Sequence, residues 1–106
     1  MVRGDVYRLR PSNDAGHEQR GERYGVVVQS DAFLPRSVVV VAPTSRSARA
    51  ATFRLEVRVA GETTRVLVEQ VRAVDARRLG ERAGHLSRDE MWSVDEALAD
   101  VLMGLL

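Results

Sequence analysis

No cysteine occurs in the 106 residues, which excludes a disulfide framework and any thiolate-bound metal. Histidine is almost as scarce. His17 and His85 stand far apart, outside the spacing of the common zinc signatures, so catalysis is expected to need no metal and no other cofactor. Lysine is missing altogether: sixteen arginines stand against fifteen acids, for a net charge of +1. A balance so close to neutral excludes whole-molecule attraction to nucleic acid, and any such affinity must come from a local patch. The longest apolar run, Val38-Val39-Val40-Val41-Ala42, is too short to cross a bilayer. The N-terminus has no apolar core of a secretory signal, so a cytoplasmic protein without a membrane anchor is expected. Walker loops, dinucleotide glycine fingerprints and nucleophile elbows are also missing, which removes most common enzyme classes.

What is present reads as one domain over residues 1–106, since hydrophobic residues make up 44% and charged residues 29%, ordinary values for a folded chain of this length. Val6 to Arg10 alternates apolar and polar residues and ends at Pro11, the pattern of a half-buried strand. A polar segment from Pro11 to Glu22, with two glycines, follows as a long loop. Tyr24–Gln29 and Ser37–Ala42 are dense in valine, as expected for central strands covered on both faces. A second polar stretch over residues 43–50 precedes the alternating strand Phe53–Val59, and Ala60-Gly61-Glu62-Thr63 turns the chain into a return strand, Arg65–Arg72. Asp75 is a candidate cap for one helical turn to Leu79, and Gly84-His85-Leu86 a short strand. Ser87-Arg88-Asp89-Glu90 is a capping box. It opens a C-terminal helix whose apolar stripe (Met91, Val94, Leu98, Val101, Leu102 and Leu105) should pack on the sheet, with Trp92 at its edge. The expected fold is α+β: a small, strongly curved antiparallel sheet or partly closed SH3-like barrel with one helix against it.

Chemistry-bearing side chains gather in three places: His17, Glu18, Gln19 and Arg23 in the first loop; Thr44, Ser45 and Arg46 in the second; and Glu69, Gln70 and Arg72 at a strand end. Singly, each has an ordinary reading as a solvated loop residue or a turn cap. Together, arginine, hydroxyl and carboxylate suit phosphoryl transfer, in which a guanidinium stabilises charge on phosphate and a carboxylate or imidazole moves a proton. RNA suits such a set, because its 2′-hydroxyl is a nucleophile already placed beside the phosphorus.

Gly16-His17-Glu18-Gln19-Arg20-Gly21-Glu22-Arg23, followed by a valine-rich strand and Gln29-Ser30-Asp31, resembles the signature of the MazF/PemK/Kid toxins. Arg3-Gly4-Asp5-Val6-Tyr7 is similar to that family's opening, Val41-Ala42-Pro43-Thr44-Ser45 to its strand ending in threonine or serine, and Glu69-Gln70-Val71-Arg72-Ala73-Val74-Asp75 to its Gln-x-Arg-x-x-Asp element. The resemblance spans nearly the whole chain. It implies a CcdB/PemK-like barrel, a homodimer, cleavage of single-stranded RNA at short motifs, and a cognate MazE-like antitoxin. It also implies residue roles: Arg23, Thr44 and Glu69 catalytic, and His17, Glu18, Gln19, Ser45 and Gln70 on the RNA path, with Arg72 and Asp75 holding the corner together. Two departures stand out. Tyr24-Gly25 replaces the proline usual after the catalytic arginine, and Leu67 occupies a position where some members carry an arginine proposed as general acid.

Two rival readings come from other classes. A CcdB-like toxin would bind DNA gyrase through the C-terminal helix, with Trp92 and the Met103–Leu106 end as its surface, and would stabilise DNA breaks without chemistry of its own. A binding module would hold RNA without cutting it.

Overall fold

The structure is a computed structural model and describes residues 1–10 and 23–105. Among the described residues seven strands form one antiparallel, curled sheet: β1 (Asp5–Leu9), β2 (Tyr24–Val27), β3 (Val38–Ser45), β4 (Arg54–Val59), β5 (Glu62–Leu67), β6 (Arg72–Asp75) and β7 (Leu79–His85). Their order is β4-β5-β3-β2-β1-β7, with β6 also paired to β3. The helix α1 (Arg88–Val101) closes the half-barrel.

β3 changes partners along its length. Its first half pairs with β6, from Val38↔Asp75 to Val41↔Arg72, and its end pairs with β5, at Thr44↔Val66 and Ser45↔Arg65. The segment expected as one return strand to Arg72 therefore breaks after Leu67, where a 3-10 turn at Val68–Gln70 carries the chain from one partner position to the next. β3 also runs beyond the expected end at Ala42, through Pro43, which sits opposite Gly25. A proline lacks the N–H that a central ladder uses, so the sequence pattern ended the strand too soon. The β4–β5 turn is a two-residue hairpin, with Val59↔Glu62 as its last pair and positive φ at both Ala60 (52°) and Gly61 (80°). That is the conformation which matches the twist of paired strands.

The valine-rich strands are covered on both faces, as their composition implies. One cluster gathers Val6, Tyr24, Val26, Ala42, Val57, Val59, Val66 and Val68 against Leu86, Val94 and Ala97 of the helical side. The other, on the opposite face, is Val27, Val39, Val41 and Val74, with Tyr7, Leu34, Ala76 and Leu79 packed onto it. Each valine removed from water in this way contributes on the order of 1.5–3 kcal/mol.

The opening Arg3-Gly4-Asp5 acts as a clasp. Arg3 donates from Nε to the Val28 carbonyl (2.8 Å) and from a terminal nitrogen to Asp95 of α1 (2.6 Å). Asp5, 3% exposed, accepts from the Val2 amide (2.8 Å), Arg82 Nε (3.1 Å) and the His85 ring (Nδ1 at 2.8 Å). Burial alone would raise the Asp5 pKa, but the hydrogen bonds from Val2, His85 and Arg82 outweigh it and hold the carboxyl below its usual value. A buried carboxylate so partnered pins β1 to β7.

Asp75 caps the expected turn at Ala76–Arg78, accepting from the Arg77 amide, and the capping box forms, with Ser87 and Glu90 each bonded to the other's backbone. The helix differs from expectation at its far end. Val94 and Ala97 are buried and Met91 and Leu98 packed, but the helix stops at Val101, and Leu102 and Leu105 are exposed. Trp92 is 67% exposed, not packed at an edge. Among the described residues no helix is long and apolar enough to cross a membrane.

Candidate functional site

Arg23 precedes β2, half-buried, and its carbonyl accepts from the Leu9 amide at 2.9 Å. On the other side of the β1 end, the Arg10 amide donates to the Arg78 carbonyl at 2.8 Å and Arg78 Nε donates back to the Arg10 carbonyl at 3.0 Å. Arg23 and Arg78 thus flank the exit of β1. Strand alternation from Val27 and Gly25 puts Arg23 on the face of the second valine cluster. Arg72 lies on that face too, because it pairs with Val41.

These three guanidiniums repel one another. Partial shielding from water, then the charges of Arg78 and Arg23, depress the Arg72 pKa below the ordinary arginine value. Among the described residues no carboxylate pairs with any of the three. The nearest in sequence, Asp75, is taken by Arg77, which donates to it from its amide (2.8 Å), Nε (3.0 Å) and a terminal nitrogen (2.8 Å). Those bonds hold the Asp75 carboxyl at about 2. The corner expected between Arg72 and Asp75 is therefore an Asp75–Arg77 contact, and Arg72 faces other arginines.

Thr44 is 2% exposed and lies on the opposite face, sharing a register position with Val66 of the first cluster. It nevertheless occupies the same end of the β2–β3 ladder as Arg23. The last pair there is Gly25↔Pro43, so the next step along each strand reaches Tyr24 and Thr44. Ser45 is opposite Arg65 and its hydroxyl lies 3.3 Å from that of Ser47. Glu69 sits in the 3-10 turn after β5. Arg54 reaches it from β4 and places two donors, Nε at 3.0 Å and a terminal nitrogen at 2.7 Å, on the single oxygen Oε2. Oε1 is buried without a hydrogen-bond partner. Gln70 is exposed beside it. His17, Glu18 and Gln19 lie outside the described residues.

The structure thus collects Arg23 with Arg72 and Arg78, sets Thr44 at the same strand end but on the other face, and ties Glu69 to Arg54. Arg54 and Arg78 were not singled out in the sequence. For Arg54, a separation of fifteen residues from Glu69 hides the pairing; for Arg78, the doublet Arg77-Arg78 was a usable signal. Among the described residues no cluster of three or more His, Asp or Glu side chains is arranged to hold a metal ion.

Comparison with known proteins gives a consistent picture. A family profile described as PemK-like, MazF-like toxin of type II toxin–antitoxin system matches residues 2–102. A Mycobacterium tuberculosis protein described as a candidate toxin is 47% identical over 105 residues, covering 96% of this chain and 97% of its own. Among solved structures, a MazE–MazF complex from Deinococcus radiodurans superposes with a TM-score of 0.81 at 24% identity, covering 97% of this chain and 96% of the other. An endoribonuclease in complex with its cognate antitoxin, from Mycobacterial species, gives 0.80 at 22%, covering 100% and 97%. At these identities the structural matches speak for the fold.

Proposed function

Because the chain belongs to the family of PemK-like, MazF-like toxins of type II toxin–antitoxin systems, we propose that it is a sequence-selective, metal-independent endoribonuclease acting on single-stranded RNA. The observation that carries this reading is the cluster at Arg23: guanidiniums at a strand end that no carboxylate among the described residues pairs with, at the same end of the ladder as the buried Thr44 hydroxyl.

The chemistry requires little more. The 2′-oxygen loses its proton and bonds to the adjacent phosphorus, the bond to the 5′-oxygen breaks, and that oxygen takes up a proton, leaving a 2′,3′-cyclic phosphate and a 5′-hydroxyl. Arg23 stabilises the charge that builds on the phosphoryl oxygens. It is a poor proton donor, so its part is electrostatic. Thr44 supplies a hydroxyl from the floor of the strand end to orient a phosphoryl oxygen. Glu69 is the carboxylate assigned the 2′-hydroxyl proton; Arg54 engages only its Oε2 and leaves Oε1, buried in the free chain, without a hydrogen-bond partner. Ser45 and Gln70, together with His17, Glu18 and Gln19 that the resemblance adds, contact the RNA and select bases. A homodimer in the cytoplasm, silenced by a MazE-like antitoxin, completes the reading; an antitoxin accompanies its toxin in the Deinococcus and Mycobacterial complexes.

The test is incubation of the protein with a long single-stranded RNA in EDTA, with the cut ends mapped. Discrete cuts ending in cyclic phosphate are expected, with a loss of about 10²-fold or more in Arg23→Ala. Intact RNA, or equal cutting by the variant, overturns the assignment. The exposed Trp92, Met103 and Leu105 favour one other reading, a surface for DNA gyrase, which stabilised DNA breaks in a gyrase assay would reveal.

A further inference from the structure

Catalysis at one phosphate needs one arginine in contact with it, yet Arg23 and Arg78 flank the end of β1 and a third, Arg72, lies on the same face as Arg23, near enough for both charges to act on it. Arg23 arrives from the start of β2, Arg72 from the start of β6 and Arg78 from the 3-10 turn before β7. The backbone bonds Leu9 N–H to Arg23 O and Arg10 N–H to Arg78 O fix the first and last on either side of that strand, and the Val41↔Arg72 pair fixes the middle one on the same face. The one acid in this segment, Asp75, is engaged by three donors of Arg77. Among the described residues no carboxylate pairs with the three arginines, and a fold that gathers like charges and turns the local carboxylate away offers a site that a bound anion stabilises.

We propose that Arg72 and Arg78 grip the backbone phosphate adjacent to the one held by Arg23, so that the site recognises two successive phosphodiesters of a single strand. This rests on the ribonuclease reading for the identity of the ligand, but the anion site stands independently of it. Two neighbouring phosphates explain why the arginines come from separate elements: a strand threading past the β1 exit meets Arg23 on one side and the Arg72–Arg78 pair on the other. Contacts of this kind fix where the strand lies and do not read bases. Arg72 and Arg78 therefore set affinity and position, and base choice is left to other residues.

The experiment measures binding of an uncleavable 2′-O-methyl oligonucleotide as a function of salt, for the full chain and for Arg72→Gln, Arg78→Gln and the double variant. Each single-stranded phosphate contact removed should lower the slope of log affinity against log salt by about 0.7, so the affinity ratio between 50 and 200 mM salt shrinks by ~2–3-fold per arginine. Arg88→Gln, at the start of α1, should leave the slope unchanged. Arg78 also bonds the Arg10 carbonyl, so Arg78→Lys, which keeps the charge, and a circular dichroism spectrum separate lost contact from lost fold. Alongside, inorganic phosphate should raise Tm in the wild-type protein and do so less in the double variant. Slopes unchanged in all natively folded variants, with no difference in the phosphate effect, overturn the proposal. If wild type cleaves no RNA while the phosphate effect still depends on Arg72 and Arg78, the anion site holds and the ribonuclease reading falls.

Discussion

Removing Arg54 should destabilise the protein far more than removing an ordinary surface arginine. Its guanidinium and the Glu69 carboxylate are only 25% and 22% exposed, and two charge-assisted bonds join them. Exposed pairs contribute ~0–1 kcal/mol, whereas hydrogen bonds to charged groups contribute about 1.5–3 kcal/mol and breaking a fully buried pair costs ~3–5 kcal/mol. Three-quarters burial puts Arg54→Gln near 2 kcal/mol. Part of that belongs to other contacts, since Arg54 also bonds the Arg49 carbonyl and stacks near Phe53. A double-mutant cycle with Glu69→Gln removes those terms and should leave a coupling on the order of 1–2 kcal/mol. Urea unfolding at fixed protein concentration reads it, and with m of ~1–2 kcal/mol/M the single variant should move the midpoint by about 1–2 M. A coupling below ~0.3 kcal/mol would refute the argument, and would mean that Glu69 is not held by Arg54 in solution.

Replacing Ala60, whose φ is 52°, by Asn should raise stability by about 0.5–1 kcal/mol, because asparagine tolerates the left-handed region that alanine resists; a lower Tm would argue against this turn. Ser87→Ala removes the acceptor for the Glu90 amide and should cost ~1 kcal/mol, with no change in Tm counting against the capping box. Acid should also weaken the fold. Asp5 and Asp75 titrate below their unfolded value of 3.8, Asp75 at about 2. Their contribution is therefore complete above that unfolded value and is lost as pH falls through the folded ones. Urea midpoints should stay level in this respect from pH 7 to 5 and drop below pH 4, while Asp5→Asn should be weaker at pH 7 and flatter in acid; an equally steep fall in that variant would remove Asp5 from the account.

Periodicity served well where one face of an element is wet or one end is capped. The alternation of Arg54–Val59, the Ser87–Glu90 box and the Asp75 cap all appear as read. It failed where tertiary pairing decides. Nothing local in Arg65–Arg72 announces a break at Leu67, because the break answers to β3, over twenty residues earlier. Pro43 reads as a stop, yet its neighbours carry the ladder across it. The apolar end of α1 matched the stripe but has no sheet beneath it. At the site, residue types and the family resemblance made Arg23, Thr44 and Glu69 candidates, while the facts that constrain their use (Thr44 on the inner face, Glu69 tied to Arg54, Arg23 among arginines) depend on strand register, which one sequence does not display.

β3 lends a single edge to two neighbours in turn, and its other edge to β2. The hairpin of β4 and β5 and the segment from β6 onward therefore share an anchor, and neither can peel away without exposing amides of the same strand. Backbone opening should then be hierarchical: β4 and β7, at the ends of the strand order, exchange their amide hydrogens with solvent early, while the amides of Val39 and Val41 wait for the domain to come apart as a whole.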